Sequence, residues 1–147
     1  MKSVNYPLRK AYTAKLDGMI VGGKAIPVFY QQQPDLDAED LKAYVIMSAV
    51  NNTDISSQSS SDTDTSLQLT IHTWDDGGND GKMCDDIGQK VFDLIYPTPQ
   101  SVLDLSADGV QMVSIKMQSD FVTELSGHGN RYFIDRTIIF SHKIYHK

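Results

Sequence analysis

Hydrophobic and polar positions alternate most regularly between Ser66 and Trp74, where Leu67, Leu69 and Ile71 interleave with Gln68, Thr70 and His72. A two-residue period puts the first set on one face of a strand and the second on the other. The period then changes. Beyond Asp75-Asp76-Gly77-Gly78-Asn79-Asp80-Gly81, the residues Met83, Ile87, Val91, Leu94 and Ile95 recur at helical spacing, flanked by Cys84 and Phe92. That is an apolar stripe broad enough to cover one face of a sheet. The intervening Asp, Gly and Asn residues accept tight turns and positive φ at low cost. Asp80 is placed to cap the helix, Asp85 and Asp86 lie near the positive end of its dipole, and Pro97 stops it. One strand–loop–helix unit, Leu67 to Tyr96, therefore forms the centre of the chain.

On the N-terminal side, Pro7 suits the first turn of a short helix whose apolar face is Leu8, Ala11, Tyr12 and Leu16, with Asp17-Gly18 as its stop. Met19-Ile20-Val21, Gly22-Gly23 and Ala25 to Tyr30 read as a small hairpin, in which Pro27 marks an edge or a bulge. Gln31 to Asp40 is polar and reads as a loop. Tyr44 to Val50 is mostly apolar and reads as a strand buried on both faces. Asn51 to Thr65 holds five serines, three threonines and three aspartates, with Ile55 as its one large apolar residue. It reads as a mobile loop or the tip of a long hairpin, disordered without a partner and a low-affinity docking arm with one.

On the C-terminal side, Val102, Leu103 and Leu105 form a short apolar segment before a turn at Ala107-Asp108-Gly109. Val110 to Leu125 reads as a long strand with Val113, Ile115 and Met117 on one face. Val110 and Met112 fall out of that phase, which predicts a bulge or bend. Ser126 to Asn130 is the turn of a hairpin. Its second arm runs from Arg131 to Lys147, with Tyr132, Ile134, Ile138, Phe140 and Ile144 on one face. The predicted fold is α+β: a mainly antiparallel sheet with a long C-terminal hairpin, one main helix packed on a face and a short N-terminal helix. The 147 residues read as a single domain, large enough for its own core.

Composition narrows the functional classes. No apolar run approaches the ~20 residues a membrane span needs, and the segment after Met1 is too polar for a signal peptide. The one cysteine, Cys84, rules out an internal disulfide and a multi-cysteine zinc module. Its place on the helix makes it a small buried hydrophobe, in a chain expected to fold in a reducing compartment. Charge is uneven: from Asp35 to Asp86 there are 12 acids against Lys42 and Lys82, a balance of −10, while the remainder carries 11 bases and 7 acids, a balance of +4. An acidic middle disfavours phosphate binding; it reads either as solvated acidic loops that confer solubility or as a surface that repels DNA or mates with a complementary protein face.

Candidate chemistry fails on spacing. A calcium loop starting at Asp76 would place Gly78 at its third position and Ile87 at its twelfth, where oxygen ligands are needed. His142 and His146 are four apart, which in a strand separates them by roughly 13 Å. His128 between two glycines reads as a loop residue and His72 as a surface or interface residue. No nucleophile elbow or phosphate loop is present, since Gly22-Gly23-Lys24 lacks the upstream glycine and the following Ser or Thr. Asp75-Asp76 and Asp85-Asp86 read as solvated or capping groups. Trp74 either anchors the strand end against the helix or anchors a protein interface. No cofactor, metal or catalytic residue is indicated, and the chain does not read as an enzyme.

The order of elements resembles the tail terminator family of long-tailed bacteriophages, also called tail completion or tail-to-head joining proteins. The resemblance rests on an N-terminal helix, a short extended segment at Val28-Phe29-Tyr30-Gln31, and a strand at Tyr44-Val45-Ile46-Met47. It rests further on the Leu67–Trp74 strand with its Asp/Gly loop and the helix bearing Ile87, Val91, Leu94 and Ile95, and on the closing arm Arg131–Tyr145. It implies a structural virion protein of the tail–neck region, assembled in the host cytoplasm. Such a protein forms a ring, typically a hexamer, on the last ring of the tail tube, ends polymerisation and offers a face to the head connector. Its partners would be copies of itself, the tail tube protein and the connector. DNA would pass through the lumen without specific binding, and no membrane would be involved. His72, Trp74, Asp75, Asp76, Ser59, Asp62, Arg131 and Arg136 are the candidate interface residues. The alternatives are another neck or tube protein, a small metal-dependent enzyme using the Asp75–Asp86 acids, and a monomeric ligand-binding domain.

Overall fold

The computed structural model describes residues 2–31, 42–75, 81–126 and 132–147. The alternating stretch lies in β5 (Asp62–Asp75), which pairs antiparallel with β4 (Ala43–Asp54) on one side and β7 (Tyr132–His146) on the other. β6 (Val110–Ser126) extends the sheet past β7, and β3 (Val28–Tyr30) flanks β4 in parallel, giving the order β3-β4-β5-β7-β6. With helices α1 (Asn5–Leu16) and α2 (Lys82–Ile95), the fold is α+β with a mostly antiparallel sheet and a C-terminal hairpin.

Register decides which side chains meet. Leu67 lies opposite Phe140, Leu69 between Met47 and Ile138, and Ile71 between Val45 and Arg136. These side chains make the inner face, and α2 covers it with Ile87, Val91 and Ile95, all essentially solvent-free. Each such side chain contributes about 1.5–3 kcal/mol through burial. α1 adds Leu8, Tyr12 and Leu16 to the same layer. Phe140 sits where the layers join, with the rings of Tyr12, Phe92 and Tyr96 at 6.2, 5.8 and 6.3 Å. Cys84 is buried, and burial pushes its thiol up to about 11, which makes it an inert packing group.

Three local features differ from or sharpen the sequence reading. First, β1 (Met19–Val21) and β2 (Lys24–Ile26) form a two-residue hairpin with Gly22 and Gly23 at φ 59° and 77°, the pair of positive angles such a turn needs. Pro27 then separates β2 from β3, so the expected second arm is two strands in two different sheets. Second, the strands continue into the serine-rich segment, leaving only residues 55–61 as their connection. Ser56, Ser60 and Asp62 tie this tongue together: Asp62 N–H donates to Ser56 Oγ at 3.0 Å and Ser60 Oγ to Asp62 Oδ2 at 2.5 Å. Third, the expected bulge occurs at Val113, between the Met112/Ile144 and Ser114/Lys143 pairs, and a second one lies at Gln118. Val113 is thereby turned out to solvent while Met112 and Ile115 point inward. The Gln31–Asp40 loop beyond Gln31, the cap at Asp80 and the turn after Ser126 lie outside the described residues.

Two histidines join α1 and the N-terminus to the sheet. His142 Nδ1 is 2.8 Å from the carbonyl oxygen of Thr65, which can only accept, so Nδ1 carries the proton. Nε2 is then an acceptor, and the Tyr12 hydroxyl donates to it at 2.5 Å. His146 takes the opposite tautomer, accepting from the Lys2 backbone N–H at Nδ1 (3.3 Å) and donating from Nε2 to Thr63 Oγ1 (2.7 Å). Burial pushes the His142 pKa down from its ordinary 6.5 to about 4. The unfolded chain thus binds a proton near pH 6.5 that the folded chain refuses until about pH 4. Stability is complete above that window and falls as pH drops through it, by about 3 kcal/mol for this group. Denaturant titrations at pH 7 and pH 4 should show that loss, and a His142→Gln variant should lack this part of the pH slope.

Candidate protein-interaction face

Both helices pack on the inner face, so the outer face of the sheet carries the residues between the core positions. Tyr44 on β4, His72 on β5 and Asp135 on β7 are successive cross-strand partners there. The Tyr44 and His72 rings stack with centroids 4.9 Å apart and planes at 24°. His72 Nδ1 donates to Asp135 Oδ1 at 3.0 Å. Phe29 on β3 extends the row, meeting Tyr44 edge-on at 6.2 Å. Burial, and secondly the Asp135 charge, raise the Tyr44 phenol above its ordinary value, so it stays a neutral donor.

Trp74, two positions along β5 and on the same face as His72, lies opposite Phe133, with the Lys42 ammonium 5.3 Å from its ring. The outer face is therefore a row of aromatic rings interrupted by one His–carboxylate pair, with Tyr44 buried at 8% exposure and Phe29, His72, Trp74 and Asp135 half-buried in the isolated chain. Rings of this kind, with few rotatable bonds and large contact area, are effective anchors for another protein. The His72–Asp135 pair holds an imidazole, but its ring lies flat on Tyr44 with no hydroxyl or thiol hydrogen-bonded to it among the described residues. Nor do three His, Cys, Asp or Glu side chains converge on a metal-sized space among those residues. No described helix is long and apolar enough to cross a membrane.

The other sequence candidates separate. Ser59 is exposed in the tongue, and Asp62 at its base is held by Ser60. The Asp75 backbone lies opposite Tyr132. Asp76, Arg131 and the side chain of Asp75 lie outside the described residues. Arg136 is on the inner face, beneath α2. Its Nε and Nη2 donate to Asp120 Oδ1 and Oδ2 of β6 at 2.9 and 2.8 Å, and Asp85 Oδ1 is 3.9 Å from Nη1. The guanidinium also lies 5.7 Å from the Phe92 ring centre. The two-pronged bond from Asp120 raises the Arg136 pKa further. His72 and Trp74 thus share one face, while Arg136 clamps α2 to the hairpin from the other. Tyr44, Asp135 and Lys42 escaped the sequence reading because only cross-strand register, a long-range property, brings them to His72 and Trp74.

Among solved structures, the fold is similar to a chain in the virion of a native gene transfer agent particle, with a TM-score of 0.57 and 16% sequence identity. The likeness covers 97% of this chain and 92% of that one. At that identity it extends to the fold alone. No family model matches the chain, and no curated protein matches it in sequence.

Gly88 offers a direct check of the Arg136 clamp. A Cβ added there would stand 2.1 Å from Arg136 Nη1 and 3.1 Å from its Cδ. The guanidinium cannot swing away without leaving Asp120. In an exposed helix Gly→Ala gains about 1 kcal/mol. Here Gly88→Ala should instead destabilise by about 1–3 kcal/mol through overpacking. In an Arg136→Ala background the same change should become neutral or stabilising, a sign reversal readable by thermal or denaturant unfolding.

Proposed function

We propose that this chain is a structural virion protein, a tail terminator that forms a ring on the end of a tail tube, stops its growth and presents a face to the head connector. The observation that carries the reading is the fold likeness to a virion chain along nearly the whole of both molecules. The resemblance of the Leu67–Tyr96 unit to the tail terminator family supports it independently, because it rests on sequence alone.

The physical character of the molecule suits such a task. A terminator needs contacts to its own copies, to the tube and to the connector, and it needs a lumen that DNA does not adhere to. The outer face, with Tyr44, His72 and Trp74, supplies one protein-binding surface. Within this proposal His72, Trp74, Asp75, Asp76, Ser59, Asp62, Arg131 and Arg136 belong to or support the contact regions. The balance of −10 between Asp35 and Asp86 suits a lumen or axial face that repels the phosphate backbone. The assembly would then be a ring of this chain, with the family's six copies as the starting expectation for its size.

Electron microscopy of the purified protein, alone and mixed with tail tubes, tests this. Single rings that seat on tube ends are expected. Long tubes of the protein alone would identify a tube protein instead, and monomers indifferent to tubes would overturn the reading. Trp74→Ala should leave the unfolding midpoint within about 1 kcal/mol of the parent while weakening assembly or tube capping roughly tenfold, as loss of an interface aromatic does.

A further inference from the structure

The outward face of α1 is organised in a way that core packing does not require. Tyr6, Arg9 and Lys10 lie at i, i+3 and i+4, opposite the buried Leu8, Tyr12 and Leu16. The Arg9 guanidinium sits 4.0 Å from the ring centre of Tyr30 on β3 and 5.7 Å from that of Tyr6, and the Lys10 ammonium is 5.5 Å from Tyr6. Cation and ring thus alternate in the order Lys10, Tyr6, Arg9, Tyr30. Both rings are open to solvent, Tyr6 at 62% and Tyr30 at 39% exposure. Arg9 Nε is shielded from solvent yet has no hydrogen-bond partner among the described residues. Part of the guanidinium's desolvation has therefore already occurred, which lowers the cost of closing an interface over it.

The surroundings are basic. Lys2, Arg9, Lys10 and Lys15 precede the first acid of the chain, Asp17. Among the described residues, the carboxylate placed against this face is Asp108, 3.0 Å from Lys10, in an exposed pair of little net strength. The same chain carries a complementary element. Between residues 51 and 66 there are Asp54, Asp62 and Asp64 and no Lys or Arg, the nearest base across the ladder being Lys143 opposite Asp64. Asp54 and Asp64 are exposed, and the Ser56 hydroxyl and N–H hold Asp54 below the ordinary carboxylate range, so it stays charged. Asn52 donates to Asn5 Oδ1 at 2.5 Å, which fixes the base of this tongue at a set angle to α1.

We infer that the Tyr6–Arg9–Lys10–Tyr30 face of α1 docks the serine–aspartate tongue of a second copy of this chain. The inference rests on the proposed self-assembly and assigns its surfaces. Basic face and acidic tongue are different patches of one molecule, so the contact is head-to-tail. Contacts of that kind close into rings when the rotation between neighbours divides a full turn. The fixed angle between tongue and α1 is then a determinant of subunit number. Tyr and Arg supply the anchors, and the tongue's carboxylates and hydroxyls supply acceptors for the guanidinium and ammonium groups. The tongue is the part of the acidic stretch that turns to the neighbour.

The test is the mass of the full chain in solution, by light scattering or sedimentation. Variants Arg9→Glu with Lys10→Glu, and separately Tyr6→Ala, should associate at least roughly tenfold more weakly than the parent, with far-UV circular dichroism unchanged. Mixing the charge-reversed α1 chain with Asp54→Lys, Asp64→Lys chains should restore association, a rescue that mere unfolding cannot give. Rising salt should weaken parental association. Rings that persist unchanged in the α1 variants would overturn the inference while leaving the terminator reading intact. A parent that stays monomeric would overturn both. Loss of DNA-oligonucleotide binding in the α1 variants, with assembly unaffected, would reassign the face to phosphate and likewise overturn it.

Discussion

A sheet covered by helices on one side only must solve two different problems on its two faces. On the inner face α1 and α2 exclude water, and the side chains there are Leu67, Leu69, Ile71, Ile138 and Phe140, all without measurable exposure. On the outer face no such layer is available from the helices, and the same strands present Thr70, His72, Trp74 and Asp135. These residues have apolar bodies and polar edges that tolerate partial hydration. The outer row of Tyr44, His72 and Asp135 is therefore a direct consequence of the helices lying on one side. It is also what makes that face suited to covering by another protein.

The inner layer is not purely apolar, and its polar members determine how the helices are held. Arg136 stands at a position that strand alternation makes a core position, between Ile134 and Ile138. It is tolerated because Asp120 takes two of its donors and because Gly88 leaves room for the guanidinium under α2. His142 does the corresponding work for α1, with each ring nitrogen bonded and the neutral form enforced by burial. One helix is thus tied to the hairpin by an ion pair and the other by a neutral hydrogen bond, the second of which is lost when His142 is protonated.

Under the proposed function, the working parts of the molecule are its surfaces. The aromatic outer face, the cation–ring ladder on α1 and the serine–aspartate tongue differ in chemistry and occupy different places. That is what a protein joining several unlike neighbours needs, and what a catalyst with one concave site does not. A groove of about 270 Å³ between the β1–β2 turn and α2 is open and lined by Asp86, Gln89, Lys90 and Asp93 along with Ile20. It brings no nucleophile and base together.

Local periodicity by itself determined the elements. The two-residue alternation of Leu67, Leu69 and Ile71 and the helical recurrence of Ile87, Val91 and Ile95 each depend on neighbours a few residues apart, and each places its residues correctly. The phase break before Ile115 located a bulge but not its outcome, since Val113 and Met117 are exposed while Met112 joins Ile115 in the core. Tertiary structure alone decided whatever depends on register and on which element lies across. Pro27 could mark an edge or a bulge by its chemistry, but only the parallel pairing of β3 with β4 shows that it sends the chain into a second sheet. The serine-rich stretch has Ile55 as its one large apolar residue, so its extension as paired strand depends on the ladder with β7. Arg136 and His142 look like ordinary polar positions in sequence; their partners Asp120, Gly88, Tyr12 and Thr65 are distant along the chain, and no local pattern encodes such pairings. Sequence sets what each segment can form within a few residues, and the long-range ladder sets what each side chain meets.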